Sequence, residues 1–431
     1  MADMLQEILD EAEKKKQARS EPAPKDSDVV RVLPVYPDES GEVIAANTKT
    51  GIFRSLLNAV LPLKNDKPRE IVRKIIFIAS LIVAIVCFCI ILSDMWVAKE
   101  HEAIYNDISD SVENYMRTGN IALPPQRVDE IRAEVPGILP QYIETYDRNN
   151  DLIGWLNISD SAGTARLDYP VLQYRYFDEE GNARGSNNYY LDHDIDHKAS
   201  KFGSIYAEWR TPFTPTSRPD NVVLYGHNIG TGQMFNTVVH YYPYYNRYPR
   251  SGSIEHYLKY PVVQFNTLYE EGLYKIFAVI YVHTEERKYD DVFDYFRWRE
   301  IPDRETFYTF VTNILDRSGF YTDVDLRYGD EILTLSTCYY PLTEAVDSRV
   351  VVFARRVREG ESPDVDLDAA YINTSPLYFK KYHEWMGGSW AGRNWDTSKV
   401  EGLDEWLAER GEEPLHLLFT ELQKEIEERN N

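Results

Sequence analysis

The strongest pattern in the chain is an apolar run, Ile75–Leu92, in which 18 consecutive residues carry no charge. As an α-helix this stretch covers about 27 Å, close to the hydrocarbon thickness of a bilayer. Asp94 is the next charge, and Trp96 falls where an interfacial aromatic residue belongs. The pattern predicts a transmembrane helix over 75–97. Orientation follows from the basic residues. Lys64, Lys67, Arg69, Arg73 and Lys74 precede the run, and only Lys99 lies within residues 93–112. That asymmetry predicts a cytoplasmic N-terminus and an extracellular remainder. The run starts too far from Met1 for a simple cleaved signal, so it reads as a single-pass signal-anchor.

Before the span, residues 1–70 read as a flexible cytoplasmic tail. Met4, Leu5, Ile8, Leu9 and Ala12 keep helical spacing, and Pro22, Pro24, Pro34 and Pro37 mark a linker. After it, residues 98–150 read as a helical stalk with further N-terminal helices. From Leu152 the period shortens. Runs at Tyr169–Gln173, Gly203–Trp209, Asn221–Tyr225, Val262–Asn266, Tyr274–His283, Ile332–Thr337 and Arg349–Arg355 are short, rich in β-branched or aromatic residues, and separated by turn signals. They predict a mainly β unit over 151–358, a barrel or sandwich rather than βαβ repeats. Arg304–Leu315 interrupts it with helical spacing at Phe307, Phe310, Val311 and Ile314. Residues 359–431 read as an acidic, α-rich extension. Gly360–Asn431 holds 16 acidic and 7 basic residues, four tryptophans, and one apolar helical face at Leu415, Leu418, Phe419, Leu422 and Ile426.

A net charge of −23 argues against general affinity for nucleic acid or anionic lipid. Cysteine usage sharpens the picture. Of three cysteines, Cys87 and Cys89 lie in the apolar run, leaving Cys338 alone downstream. An exported domain with one thiol has no internal disulfide framework, and that thiol is either inert core or reactive.

Three fragments place reactive groups at the edges of aliphatic runs: NVVLYGHN (221–228), ILTLSTC (332–338) and DSRVVVFARRV (347–357). Cys338 ends a predicted strand, His227 follows one and Arg349 begins one. Cysteine attacks carbonyls as the thiolate, which a nearby cation favours. Histidine can supply that partner and later protonate a leaving amine. Arginine offers a fixed fork of donors for an oxyanion or a substrate carbonyl. The residue types are compatible with acyl transfer, and equally with a structural histidine and a solvated arginine.

These fragments, in this order, resemble the sortases. The upstream blocks NNDLIGWLNI (149–158), LDYPVLQ (167–173), NNYYLDHDID (187–196) and SKFGSIYAEWR (200–210) resemble class B in particular. The likeness covers about residues 150–357. It implies an eight-stranded sortase-type β-barrel with N-terminal helices. It also implies Cys338 as nucleophile, His227 as acid/base partner and Arg349 as the group that orients substrate or oxyanion, with Thr337, Ser336, Asn228 and Tyr339 as substrate-contacting neighbours. The stretch Glu285–Asp330 corresponds to the family's substrate-contacting loop. The implied reaction is cleavage of a sorting signal at a Thr–X bond through a thioester, then transfer to an amine on a cell-wall precursor or a pilin lysine. Class B suggests an Asn-Pro-x-Thr-x signal, and no cofactor is implied. The chain departs from the family in its eleven-position interval from Cys338 to Arg349, in Tyr339-Tyr340-Pro341, and in its two terminal extensions.

Other constellations invite blander readings. Asp192–His197 imitates a metal cluster but reads as a polar loop. Asp147–Asp151 lacks the glycine and the glutamate of a calcium loop. Tyr241–Tyr248 reads as a packed surface loop, and His240, His256 and His283 as structural. Two alternatives to a transpeptidase stand beside it: a catalytically silent receptor on the same fold, and an unrelated cysteine hydrolase.

Overall fold

The computed structural model describes residues 59–244, 252–285, 292–341, 347–386 and 389–412. The proposed helix near Met4 and the apolar face at Leu415–Ile426 lie outside them. The chain divides into two compact units, Met1–Ile90 and Ile91–Asn431.

A single helix, α1 (Pro68–Thr118), contains the apolar run and continues without a break through the expected stalk. Its apolar window has a mean hydropathy of 3.4 and none of it is buried within the protein, which makes it long and apolar enough to cross a membrane. The part of α1 beyond Ile91 lies on the β unit. His101, Tyr105 and Ile108 are buried there, and the Tyr105 hydroxyl meets Ser204 Oγ at 2.9 Å.

Helices α2 (Pro125–Glu134) and α3 (Ile143–Arg148) lead into the strands. In chain order these are β1 (Leu152–Ser159), β2 (Ala165–Leu172), β3 (Arg175–Phe177), β4 (Ala183–Gly185), β5 (Ile205–Ala207), β6 (Asn221–Tyr225), β7 (Val262–Thr267), β8 (Leu273–His283), β9 (Phe320–Tyr321), β10 (Ile332–Cys338), β11 (Ser348–Arg356) and β12 (Tyr371–Ile372). Eight of them close into a barrel in the order β1-β2-β5-β6-β10-β11-β8-β7. β1 closes the ring on β7, with Gly154 opposite Thr267. A side chain at Gly154 would meet the Asn266 carbonyl oxygen at 2.2 Å, so only glycine lets the two strands approach this closely.

The alternation along each strand sorts two apolar layers. Val222, Leu224, Leu333, Leu335, Val350, Val352 and Ala354 point into the barrel with one cluster. Val223, Ile332, Val351 and Phe353 point outward into another, where helix α4 (Arg304–Arg317) covers them with Phe307, Phe310, Val311 and Ile314. Asp303 caps α4 by accepting a hydrogen bond from the Thr306 amide at 2.8 Å. This two-sided burial explains the unbroken apolar runs Ile276–Val282 in β8 and Val350–Ala354 in β11.

The extension is more than helical. β12 pairs with β9, and only then come α5 (Lys380–Met386) and α6 (Leu403–Glu409). It grips α4 at several points. The Trp395 indole donates to Asp316 at 2.7 Å, the Trp406 indole to Glu305 at 2.9 Å, and the Tyr308 hydroxyl to the Glu401 carbonyl at 3.1 Å.

Candidate active site

The sequence-predicted residues come together through strand register. β6 and β10 run parallel, with Tyr225 opposite Ser336. β10 and β11 run antiparallel, with Cys338 directly opposite Arg349. His227 stands two residues beyond Tyr225, and Cys338 two residues beyond Ser336. The three residues therefore occupy one level on three neighbouring chain segments. Ser336 and Cys338 share a face with Ile332, on the outer, α4-covered side of the wall rather than in the barrel lumen. At its end the cover stops, and Cys338 is half-exposed.

Hydrogen bonds fix the neighbouring backbone. Thr337 Oγ1 donates to the Gly226 carbonyl at 2.7 Å, tying the cysteine strand to the segment carrying His227. Asn228 Nδ2 donates to the Cys338 carbonyl at 3.1 Å and its Oδ1 accepts from Asn236 at 2.9 Å. The Ser336 hydroxyl lies 2.6 Å from that of Tyr295. Tyr339 is buried against the rings of Tyr242 and Tyr281. Thr337, Ser336 and Asn228 thus hold hydrogen bonds within the protein, and Tyr339 holds ring contacts.

His227 Nε2 meets the Leu191 carbonyl at 2.7 Å. A carbonyl only accepts, so Nε2 carries the proton and Nδ1 is the basic nitrogen of the neutral ring. Leu191 is held in turn by Gly203 (φ +58), where a side chain would strike the Leu191 and Tyr190 carbonyl oxygens at 2.5 and 2.6 Å. The Arg349 guanidinium is forked on the Asp347 carboxylate, with Nη2 donating to Oδ2 at 3.2 Å and Nη1 to Oδ1. Nη1 also reaches the Ser348 carbonyl at 3.0 Å and the Tyr340 hydroxyl at 3.3 Å. Asp347 further accepts from Thr284 Oγ1 at 2.9 Å and from the Tyr340 hydroxyl at 3.1 Å.

Charge follows this geometry. Burial works against ionisation of Arg349, yet the Cys338 thiolate and Asp347 outweigh it and hold the guanidinium above its ordinary value. Burial likewise opposes the Asp347 carboxylate, but Arg349, Thr284 and Tyr340 together hold it below the usual range. Burial pushes the Tyr295 phenol up to about 12, against the hydrogen bond from Ser336 and the charge of Arg349. The result is a half-exposed thiol opposite a fixed cation, with the neutral phenol of Tyr295 on the same wall. A fixed cation in this place can receive developing negative charge.

Sequence reasoning named the three central residues but not their holders. Asp347 was visible in the D-S-R fragment, whereas Leu191 acts through its carbonyl and Thr284 through a loop contact, neither of which has a signature in residue type. The Asp192–His197 segment forms local turns instead of a ligand set. Asp194 Oδ1 accepts from the Asp196 and Lys198 amides, both at 2.9 Å, Asp196 pairs with Arg148, and His193 Nδ1 lies 2.8 Å from the Tyr189 carbonyl.

No family model matches the chain. Sortase B of Staphylococcus aureus is 25% identical over 221 residues, which is 51% of this chain and 76% of that protein. Sortase B of Listeria monocytogenes is 28% identical over 196 residues, 44% of this chain and 63% of that protein. A solved Staphylococcus aureus sortase B–substrate complex aligns over 61% of this chain and 98% of its own with 22% identity and a TM-score of 0.43. In its sequence blocks and in these two curated relatives alike, the chain is similar to the class B sortases.

Proposed function

We propose that the protein is a membrane-anchored cysteine transpeptidase that cleaves a C-terminal sorting signal and joins the released carboxyl group to an amine. The observation carrying this reading is the register that sets Cys338 opposite Arg349 with His227 level on the adjoining segment. The Cys338 thiol gives its proton to His227 Nδ1, and the resulting thiolate attacks the carbonyl of a Thr–X bond. The resulting oxyanion takes donors from Arg349, whose five N–H groups exceed those used on Asp347, Tyr340 and Ser348. As the C–N bond breaks, the leaving amine takes the proton from His227 Nδ1, and a thioester remains on Cys338. An incoming amine attacks the thioester and returns a proton to Nδ1, and the thiolate leaves. Class B kinship supports an Asn-Pro-x-Thr-x signal, with a cell-wall precursor or a pilin lysine as acceptor. The basic residues before the apolar run support a cytoplasmic N-terminus and an extracellular site.

The test is mass spectrometry of the protein incubated with a library of sorting peptides. A peptide-mass adduct on Cys338, discharged faster by an added amine than by water, is the expected result. An adduct that persists in Cys338→Ala, or discharge indifferent to amine, overturns the reading.

A further inference from the structure

Tyr340, in the unusual Tyr339-Tyr340-Pro341 sequence after the cysteine, projects to the surface while Tyr339 turns into the core. Its hydroxyl sits among the groups that define the site. Arg349 Nη1 donates to it at 3.3 Å, and it donates to Asp347 Oδ1 at 3.1 Å. Cys338 stands directly opposite Arg349, the guanidinium on which this hydroxyl rests, and is two residues from Tyr340 along the chain. A phenol has two lone pairs but one proton. One lone pair faces a guanidinium, which polarises the O–H bond and makes it a stronger donor. The single proton has two competing anionic acceptors, the Asp347 carboxylate and the sulfur when it is ionised.

We propose that Tyr340 is a catalytic residue, a phenol donor that turns its hydrogen bond from Asp347 to the Cys338 thiolate before attack and returns it once sulfur enters the thioester. The step moves no proton between heavy atoms. The O–H bond stays intact, the S–C bond forms with the sulfur's electron pair, and a thioester sulfur is too weak an acceptor to keep the phenol. Partial burial and then the neighbouring Cys338 keep the Tyr340 hydroxyl well above the usual phenol range, so it remains a neutral donor at working pH. The other titratable groups of the site hold partners of their own. Tyr295 is hydrogen-bonded to Ser336, Tyr206 is buried on β5, Arg349 is forked on Asp347, and His227 donates through Nε2 to Leu191.

This inference rests on Cys338 being the nucleophile but not on the identity of any substrate, so its test uses a small thiol reagent. The rate of Cys338 alkylation by iodoacetamide is measured against pH for the full chain in detergent and for Tyr340→Phe, which keeps the ring. Losing a hydrogen bond to the ionised sulfur should move the midpoint of the profile upward and slow alkylation at neutral pH by roughly three- to tenfold, with the same limiting rate at high pH. An unmoved midpoint overturns the proposal, as does a uniform change at all pH values, which would report access rather than ionisation. A second variant, Tyr340→Trp, keeps an aromatic N–H donor; a midpoint closer to the parent than that of the phenylalanine variant supports donation, and one equal to it refutes donation. If alkylation behaves as stated but no peptide adduct forms, the transpeptidase reading fails while the role of Tyr340 stands.

Discussion

Replacing Arg349 by lysine keeps the charge and removes the fork. In the parent, Nη1 and Nη2 together hold both oxygens of Asp347, while Nη1 also reaches Ser348 and Tyr340. Lysine has three N–H donors on one atom, and an ammonium that meets Asp347 has no second nitrogen fixed in plane to meet an oxyanion. The expected loss is that of one oriented oxyanion donor, about a hundred- to thousandfold in kcat, or about 3–4 kcal/mol. Because a cation still stands opposite Cys338, alkylation of the thiol should change far less, by roughly threefold or below. The assay pairs release of a quenched fluorophore from a sorting peptide with iodoacetamide kinetics on the same preparations, and thermal unfolding confirms the fold. Near-normal turnover would remove Arg349 from the chemistry. Equal losses in turnover and alkylation would mean that the fork acts on the reactivity of the thiol and not on the oxyanion.

Further outcomes are expected elsewhere. Thr337→Val removes the bond to the Gly226 carbonyl inside the barrel at nearly constant shape, and should cost about 1–3 kcal/mol in urea unfolding, with a loss of turnover larger than stability alone explains. Trp395→Ala empties a buried site and strips Asp316 of its indole donor, so a loss of about 3–5 kcal/mol in the same assay is expected; wild-type stability would show the extension to be a passive appendage. Burial, with lesser effects of His240, Arg166 and Lys259, pushes His256 down to about 3. Its unfolded value is near 6.5, so the unfolded chain binds the extra proton between these limits, and stability should fall as pH drops from about 6.5 toward 3. His256→Gln should flatten the urea midpoint against pH over that window, and an unchanged slope would refute the assignment.

The barrel was legible because its strands combine β-branched runs with turn signals, and Asn221–Tyr225 is the same segment in sequence and structure. β1 was less visible as a strand, since Gly154 and Asn157 dilute its pattern; the crossing with β7 explains the glycine, and only the folded chain shows it. β5 is shorter than the run Gly203–Trp209 because Gly203 is in a left-handed turn beneath Leu191 and Trp209 lies past the last ladder pair. Cys338, His227 and Arg349 could be named because their three fragments, in order, resemble the sortase blocks; residue type at a strand edge alone left a structural histidine and a solvated arginine open. Ser336 and Thr337 could not be assigned to opposite faces until the register of β10 was known. The extension was read as helical from its tryptophans and leucines, but its β12 pairing depends on a two-residue partner, Phe320–Tyr321, too short to leave a period.

The grip of the extension on α4 changes what kind of recognition this molecule can perform. α4 lies within Glu285–Asp330, the stretch that resembles the sortases' substrate-contacting loop, and Trp395, Trp406 and Glu401 hold its two ends and its flank. Ordering a free loop costs conformational entropy at every binding event. Here α4 is ordered once, when the chain folds. Under the proposed function its surface is a fixed template, one that rejects a poorly shaped peptide quickly instead of moulding itself around it.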